Sequence, residues 1–225
     1  MNVQKLVLTV LCTMTGAFVF SNAPALAATN NAYQSQFKPA FTSGGLAVSS
    51  SGEVYLVDAE HQVVYEFGPS GTGTPLAEFK ASATSEKSFD TETNGNIAVN
   101  SSGDLYVIGA SHTVVDEFNP NGTALLAEFN GNKTGGKSFY AEGIAVNTKG
   151  DVYVADLAQE VVDEFSPPAT GKSEPIPLGE FNGLKTAGGS FSPRAIAVNA
   201  SGDVYVVDGR FEVVDKFSPD RKSVV

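Results

Sequence analysis

The sequence predicts an all-β protein built from four copies of one antiparallel sheet. First, one sentence is written four times: GLAVSSSGEVYLVDAEHQVVYEF from Gly45, NIAVNSSGDLYVIGASHTVVDEF from Asn96, GIAVNTKGDVYVADLAQEVVDEF from Gly143 and AIAVNASGDVYVVDGRFEVVDKF from Ala195. Second, apolar residues within each copy alternate with a period of two, and no stretch offers the 3.6-residue rhythm of a helix. Third, the chain holds 23 Gly and is 42% hydrophobic but only 17% charged, a composition of a turn-rich folded chain and not of a disordered one. The turn glycines Gly52, Gly103, Gly150 and Gly202 recur at intervals in the range of propeller blades. The predicted architecture is therefore a β-propeller of four-stranded antiparallel blades, with four blades countable and starts near 45, 96, 143 and 195.

Residues 1–27 read as an export signal. Lys5 precedes an apolar run from Leu6 to Phe20, and small Ala25 and Ala27 stand where a signal peptidase needs them. The run is shorter than the roughly 20 residues of a spanning helix. Residues 28–225 are then the propeller domain, and a secreted, periplasmic or cell-surface location is expected, without a stable membrane anchor after cleavage. Cleavage would also remove Cys12, the one cysteine, so packing alone must hold the mature fold.

Each repeat is read as four strands. The first, such as Ile144–Val146, is short and apolar on both sides, as an innermost strand requires. N-x-x-G-D follows (Asn100–Asp104, Asn147–Asp151, Asn199–Asp203, with Ser49–Glu53 as a variant) and predicts a tight hairpin, since Asn and Asp favour turns and Gly supplies positive φ. The second strand carries Tyr55, Tyr106, Tyr153 or Tyr205, a recurrent aromatic expected between blades. The third runs to Phe67, Phe118, Phe165 or Phe217, and the outer strand to Phe79, Phe129 or Phe181, with Glu78, Glu128 and Glu180 guarding the edge. The segment Tyr33–Phe37 resembles an outer strand placed ahead of the first repeat. It either closes a four-bladed ring on the last blade, or the four blades form an open arc or part of a larger ring.

The formal net charge is −11. Such a surface repels nucleic acid and anionic membranes. No basic patch, nucleotide loop or Ser-His-Asp order is present.

The pattern GIAV-x3-GDVYVAD-x4-VV-x2-F, with F-x-G downstream and G-x-F before the next GIAV, resembles the NHL repeat of secreted bacterial β-propellers over Gln36–Phe217. The family's polar Asn-Asn-Arg turn is replaced here by residues 59–62, 110–113, 157–160 and 209–212, and its usual blade number is five or six. The resemblance implies either a binding module or, as in streptogramin-type lyases, amidating lyases and gluconolactonase-like enzymes, a small-molecule lyase or lactonase. The amidating-lyase form wants a histidine-rich zinc site, and two histidines cannot supply three ligands.

The candidate site residues lie on one expected face, where the second-to-third turns meet the long loops 80–95, 130–142 and 182–194. Second strands end in Asp58, Gly109, Asp156 and Asp208. The three carboxylates read either as caps on the following turn or as hard ligands for Ca²⁺; otherwise no cofactor is expected. His61 and His112 share one repeat position, which reads either as a variable turn residue or as a ligand-binding or acid–base pair. Glu142 and Arg194 complete the candidate ligand-binding set. The favoured reading is an exported binding or scaffold module for a protein, peptide or glycan; the alternative is a metal-assisted lyase or lactonase.

Overall fold

The computed structural model describes residues 43–58, 60–70, 73–90, 96–131, 139–167, 175–183 and 190–220. The chain divides into units 1–35 and 36–225, and every described residue belongs to the second. The predicted export signal and the strand Tyr33–Phe37 lie outside the described residues, as do 221–225.

Among the described residues fifteen strands form four antiparallel sheets. The first holds β1 (Ser43–Val48), β2 (Val54–Asp58), β3 (Val63–Phe67) and β4 (Ala77–Lys80). The second holds β5 (Ile97–Val99), β6 (Leu105–Ile108), β7 (Val115–Phe118) and β8 (Leu125–Phe129). The third holds β9 (Ala141–Val146), β10 (Val152–Asp156), β11 (Val161–Ser166) and β12 (Ile176–Phe181). In the fourth, β13 (Pro193–Val198), β14 (Val204–Asp208) and β15 (Val213–Phe217) are described. Each sheet meanders in sequence order, and inner strand packs on inner strand from β1 to β5, β5 to β9 and β9 to β13. The protein is thus a β-propeller of four blades.

Three apolar layers lie between consecutive blades. Tyr55, Val57, Val64 and Phe79 of the first blade meet Ile97, Leu105, Val107 and Phe118 of the second. The next layer sets Tyr106, Ile108, Val115 and Phe129 against Ile144, Val152, Val154 and Phe165, and the third sets Tyr153, Val162 and Phe181 against Val204, Val206 and Phe217. Period-two alternation explains this. One side of each strand faces the preceding blade and the other the following one, so both sides are apolar.

The recurrent tyrosine sits opposite residue 66, 117, 164 or 216 of the third strand. Tyr106 donates its hydroxyl proton to Glu117 Oε1 at 2.9 Å. In the last blade the partner is Lys216, which lies 5.6 Å from the Tyr205 ring centroid and ion-pairs with Asp203 at 3.0 Å. The predicted aromatic position is therefore a packing position with a polar anchor.

The hairpins form as the Asn–Gly–Asp spacing predicts. Asn147 Oδ1 accepts from the Lys149 and Asp151 amides at 2.8 and 2.9 Å, and Asn147 Nδ2 donates to Asp151 Oδ2 at 2.8 Å. Gly150 takes φ 89°, and a Cβ there would stand 2.8 Å from Pro167 Cγ. The same proline follows the third strand in every copy, as Pro69, Pro120, Pro167 and Pro219, and covers its hairpin glycine. Both the positive φ and the proline oppose a side chain, so Gly150→Ala is expected to cost about 1–2 kcal/mol, read as a lower urea midpoint at unchanged slope.

Candidate functional site

The loop face carries a cavity of about 330 Å³ lined by Gln62, Ser88, Phe89, Asp90, Ala110, Ser111, His112 and Tyr140. Its walls come from three places in the sequence: the turn after β2, the loop leading into β5, and the turn after β6. Tyr140, just before β9, supplies the fourth side.

The loop wall is fixed by backbone. The Asp90 amide donates to Ile108 O at 2.9 Å and the Ala110 amide to Ser88 O at 3.0 Å, so residues 88–90 run beside the end of β6, with Phe89 bridged to Gly109. Gln62 reaches across from the first blade: its Oε1 accepts from the Phe89 amide at 2.6 Å and from Ser88 Oγ at 3.0 Å.

His112 is the centre of the site. It is buried with φ 62°, and its Nδ1 lies 2.8 Å from Ala141 O. A carbonyl only accepts, so Nδ1 carries the proton and Nε2 is left toward Asp90 Oδ1, 3.7 Å away. The imidazole stacks on the Tyr140 ring at 4.4 Å between centroids and 10° between planes. Tyr140 itself is 40% exposed, so one edge of the stack meets solvent at the mouth. Asp90 is buried, and its backbone carbonyl accepts from Asn96 Nδ2.

His61 and His112 occupy the same repeat position but not the same environment. The His61 side chain is 62% exposed, and its Nδ1 pairs with Asp58 Oδ2 at 2.8 Å. That hydrogen bond and the carboxylate charge raise its pKa. The two imidazoles share no partner in these contacts. The difference is one residue of turn geometry. In the first blade the Gln62 amide returns to Asp58 O and Gln62 is the left-handed residue, as Glu160 and Glu212 are in later blades. In the second blade the His112 amide returns to Gly109 O, and the left-handed residue is His112, one position earlier. The tighter turn swings the imidazole inward.

Gly109 is the cause that sequence reasoning missed. Asp58 Oδ1 accepts from the Glu60 and His61 amides at 3.0 Å, Asp156 Oδ1 from Ala158 and Gln159 at 2.9 and 3.1 Å, and Asp208 Oδ1 from Arg210 at 2.9 Å. Where glycine stands, Glu86 from the preceding loop supplies the carboxylate instead: it accepts from the Ser111 amide at 2.9 Å and from Ser111 Oγ. A Cβ on residue 109 would lie 2.6 Å from Glu86 Oε2, so the missing side chain makes room for the substitute. Glu86→Ala is expected to cost about 0.5–1 kcal/mol in urea unfolding, the usual loss for an exposed turn that loses its cap.

The three strand-end aspartates are buried and turned to backbone amides. Asp156 Oδ1 also accepts from the Tyr140 amide at 3.0 Å, and Asp208 Oδ1 from Ser192 at 3.3 Å, so each ties the incoming loop to the turn. Burial raises the Asp156 pKa against the pull of these amides. Among the described residues no group of three or more His, Cys, Asp or Glu is placed to hold a metal ion. Glu142 and Arg194 meet each other across the third and fourth blades at 3.0 Å, the guanidinium about half exposed, and they do not line the His112 cavity.

A buried acid pair lies deeper in the second blade. Asp116 and Glu128 face one another across β7 and β8. Apart from the neighbouring Glu128 carboxyl, no hydrogen-bond donor among the described residues meets the Asp116 oxygens, so the two acids can share one proton. Burial, then proximity to the Glu128 carboxyl, pushes the Asp116 pKa up to about 8. Burial likewise pushes Glu117 up to about 7 despite the Tyr106 hydroxyl.

No protein-family profile and no curated protein matches the chain. Solved structures do. Virginiamycin B lyase from Staphylococcus aureus, crystallised as an inactive variant with quinupristin, is 14% identical at a TM-score of 0.56, covering 83% of this chain and 56% of its own. A putative gluconolactonase is 15% identical at 0.57, covering 80% and 61%. The WD40 repeats of RRP9 are 12% identical at 0.60, covering 84% and 52%. The chain therefore spans half to three-fifths of the length of these propellers. At such identities the likeness establishes the β-propeller fold and nothing finer.

Proposed function

We propose that this chain is an exported propeller of the NHL-repeat type that binds a protein, peptide or glycan through its loop face. The observation that carries this reading is the His112 cavity: a concave space lined by converging polar groups, walled by two blades and a loop, with a half-open aromatic at the mouth. Such sites recognise polar ligands by stacking and a few fixed hydrogen bonds. His112 presents Nε2 with its tautomer set by Ala141, Asp90 supplies a carboxylate, and Tyr140 offers a ring face or edge. The neighbours range from lyases to WD40 scaffolds, so the fold is equally at home in either class. The lyase or lactonase alternative asks for a metal-holding set, and among the described residues the strand-end aspartates each spend Oδ1 on backbone amides and are not grouped as three or more ligands around one point.

The test is a printed array of glycans and peptides probed with purified chain, followed by calorimetric titration of the best binder. Binding that weakens at least about tenfold in His112→Ala and Tyr140→Ala, while His61→Ala binds as before, supports the reading. Binding unchanged in both cavity variants contradicts it.

A further inference from the structure

The donors that line the His112 cavity are largely spent within the protein. The Ser88 hydroxyl donates to Gln62 Oε1 at 3.0 Å, and the Ser111 hydroxyl donates to Glu86 Oε1. The amides of Phe89, Asp90, Ala110, Ser111 and His112 are held by Gln62 Oε1, Ile108 O, Ser88 O, Glu86 Oε2 and Gly109 O. His112 gives its Nδ1 proton to Ala141 O at 2.8 Å. No lysine or arginine is among the described lining residues.

These bonds leave acceptors and negative charge toward the space. With the proton on Nδ1, His112 Nε2 carries a lone pair. Asp90 Oδ1 stands 3.7 Å from it, too long for a hydrogen bond, so the two are acceptors side by side. The Asp90 side chain is 1% exposed, and a carboxylate so deeply buried acts on a nearby charge with little screening by water. Tyr140, stacked on His112 at 10° between planes and 40% exposed, adds an aromatic surface of the kind that attracts cations. The net charge of −11 has the same sign at longer range.

We propose that this cavity takes the basic side chain of a peptide, arginine above all, whose N–H groups donate to His112 Nε2 while its charge is offset by Asp90. The inference rests on the reading that the loop face is a binding surface, and it narrows the ligand to a cation. An anionic group would meet the Asp90 charge and find the wall's donors already taken. A metal ion would need further ligands, and among the described residues no group of three His, Cys, Asp or Glu is placed to supply them. Guanidinium is favoured over ammonium because it is planar, stacks on an aromatic ring and presents its N–H groups in a fixed fork. A space of about 330 Å³ accommodates one such side chain.

The probe is acetyl-Gly-Gly-Arg-Gly-Gly-amide, which carries a single charge. It is titrated into the ¹⁵N-labelled full chain in the presence of EDTA, and amide shifts are followed. Saturable shifts centred on residues 110–112 and 140 are expected. The same peptide with citrulline, which keeps the plane and loses the charge, should bind at least about tenfold more weakly. Asp90→Asn should weaken the arginine peptide by a similar factor, and Tyr140→Ala, at an exposed position, provides a second variant should the first disturb the fold. Absent shifts, shifts centred elsewhere, or equal binding of the arginine and citrulline peptides overturn the proposal. The wider reading fails separately. Array ligands that are neutral or acidic and lose affinity in His112→Ala, with no binding of the arginine peptide, overturn the cation and leave the binding surface standing.

Discussion

Raising the pH from 5 to 8 is expected to lower the melting temperature of this protein by several degrees, and Asp116→Asn is expected to remove a large part of that loss. The sign follows from the buried carboxyls. An unfolded chain gives up these protons near pH 4, whereas the folded chain keeps the Asp116 proton to about pH 8 and the Glu117 proton to about pH 7. Between those limits the folded state binds more protons than the unfolded one, so stability from these groups is fully present below about pH 4 and is lost as pH rises toward 8. For a carboxyl as buried as Asp116 the total is on the order of a few kcal/mol. The amide introduced by Asp116→Asn cannot ionise and keeps a donor for Glu128, so the variant should be more stable than the parent at pH 8 and should show a flatter profile. Thermal unfolding followed by circular dichroism at several pH values checks both. A parent that gains stability steadily from pH 5 to 8 would contradict the assignment.

The second large effect belongs to the inter-blade layers. Phe118 is buried between the first two blades, with Phe79 and Phe89 at 6.0 Å and nearly perpendicular to it. Phe118→Ala removes the ring from a site that three packed strands hold open, so a loss of about 3–5 kcal/mol is expected. Phe211, in the turn after β14, is 39% exposed, and Phe211→Ala should change stability by no more than about 0.5 kcal/mol. Urea unfolding of the pair measures the contrast. Equal losses would mean that the repeat phenylalanines do not wedge the blades apart.

The repeat made most of this architecture legible. Strand order, the Asn-x-x-Gly-Asp hairpins and the tyrosine layer each depend on residues close in sequence and are written three or four times over, so local chemistry specifies them. The outer strands were legible for the same reason. Two predicted features fall elsewhere: the export signal and the closing strand Tyr33–Phe37 lie outside the described residues. Burial of single repeat positions could not be read from pattern: Val214 is 62% exposed although it matches fully buried Val115 in residue type and repeat position.

The site was legible only in outline. The sequence places His61 and His112 at one repeat position on the loop face. It cannot show that Glu86, more than twenty residues upstream of Gly109, takes over the cap and shortens the turn, since that exchange is a tertiary contact. Nor does spacing reveal that Gln62 of one blade helps build the cavity of the next. The aspartate trio illustrates the reverse case, in which local chemistry suffices: a strand-end Asp followed by a four-residue turn meets backbone amides two and three residues on, as Asp58 and Asp156 both do.

Four copies of one sheet stack blade on blade along the chain. Hydrogen exchange followed by mass spectrometry tests this most directly, because β2, β6, β10 and β14 each lie hydrogen-bonded between two strands of their own blade. Peptides covering these four strands should be the slowest to exchange in the whole chain, and all four should be slow together. Exchange of any one of them at the rate of the loops would contradict the four-blade architecture.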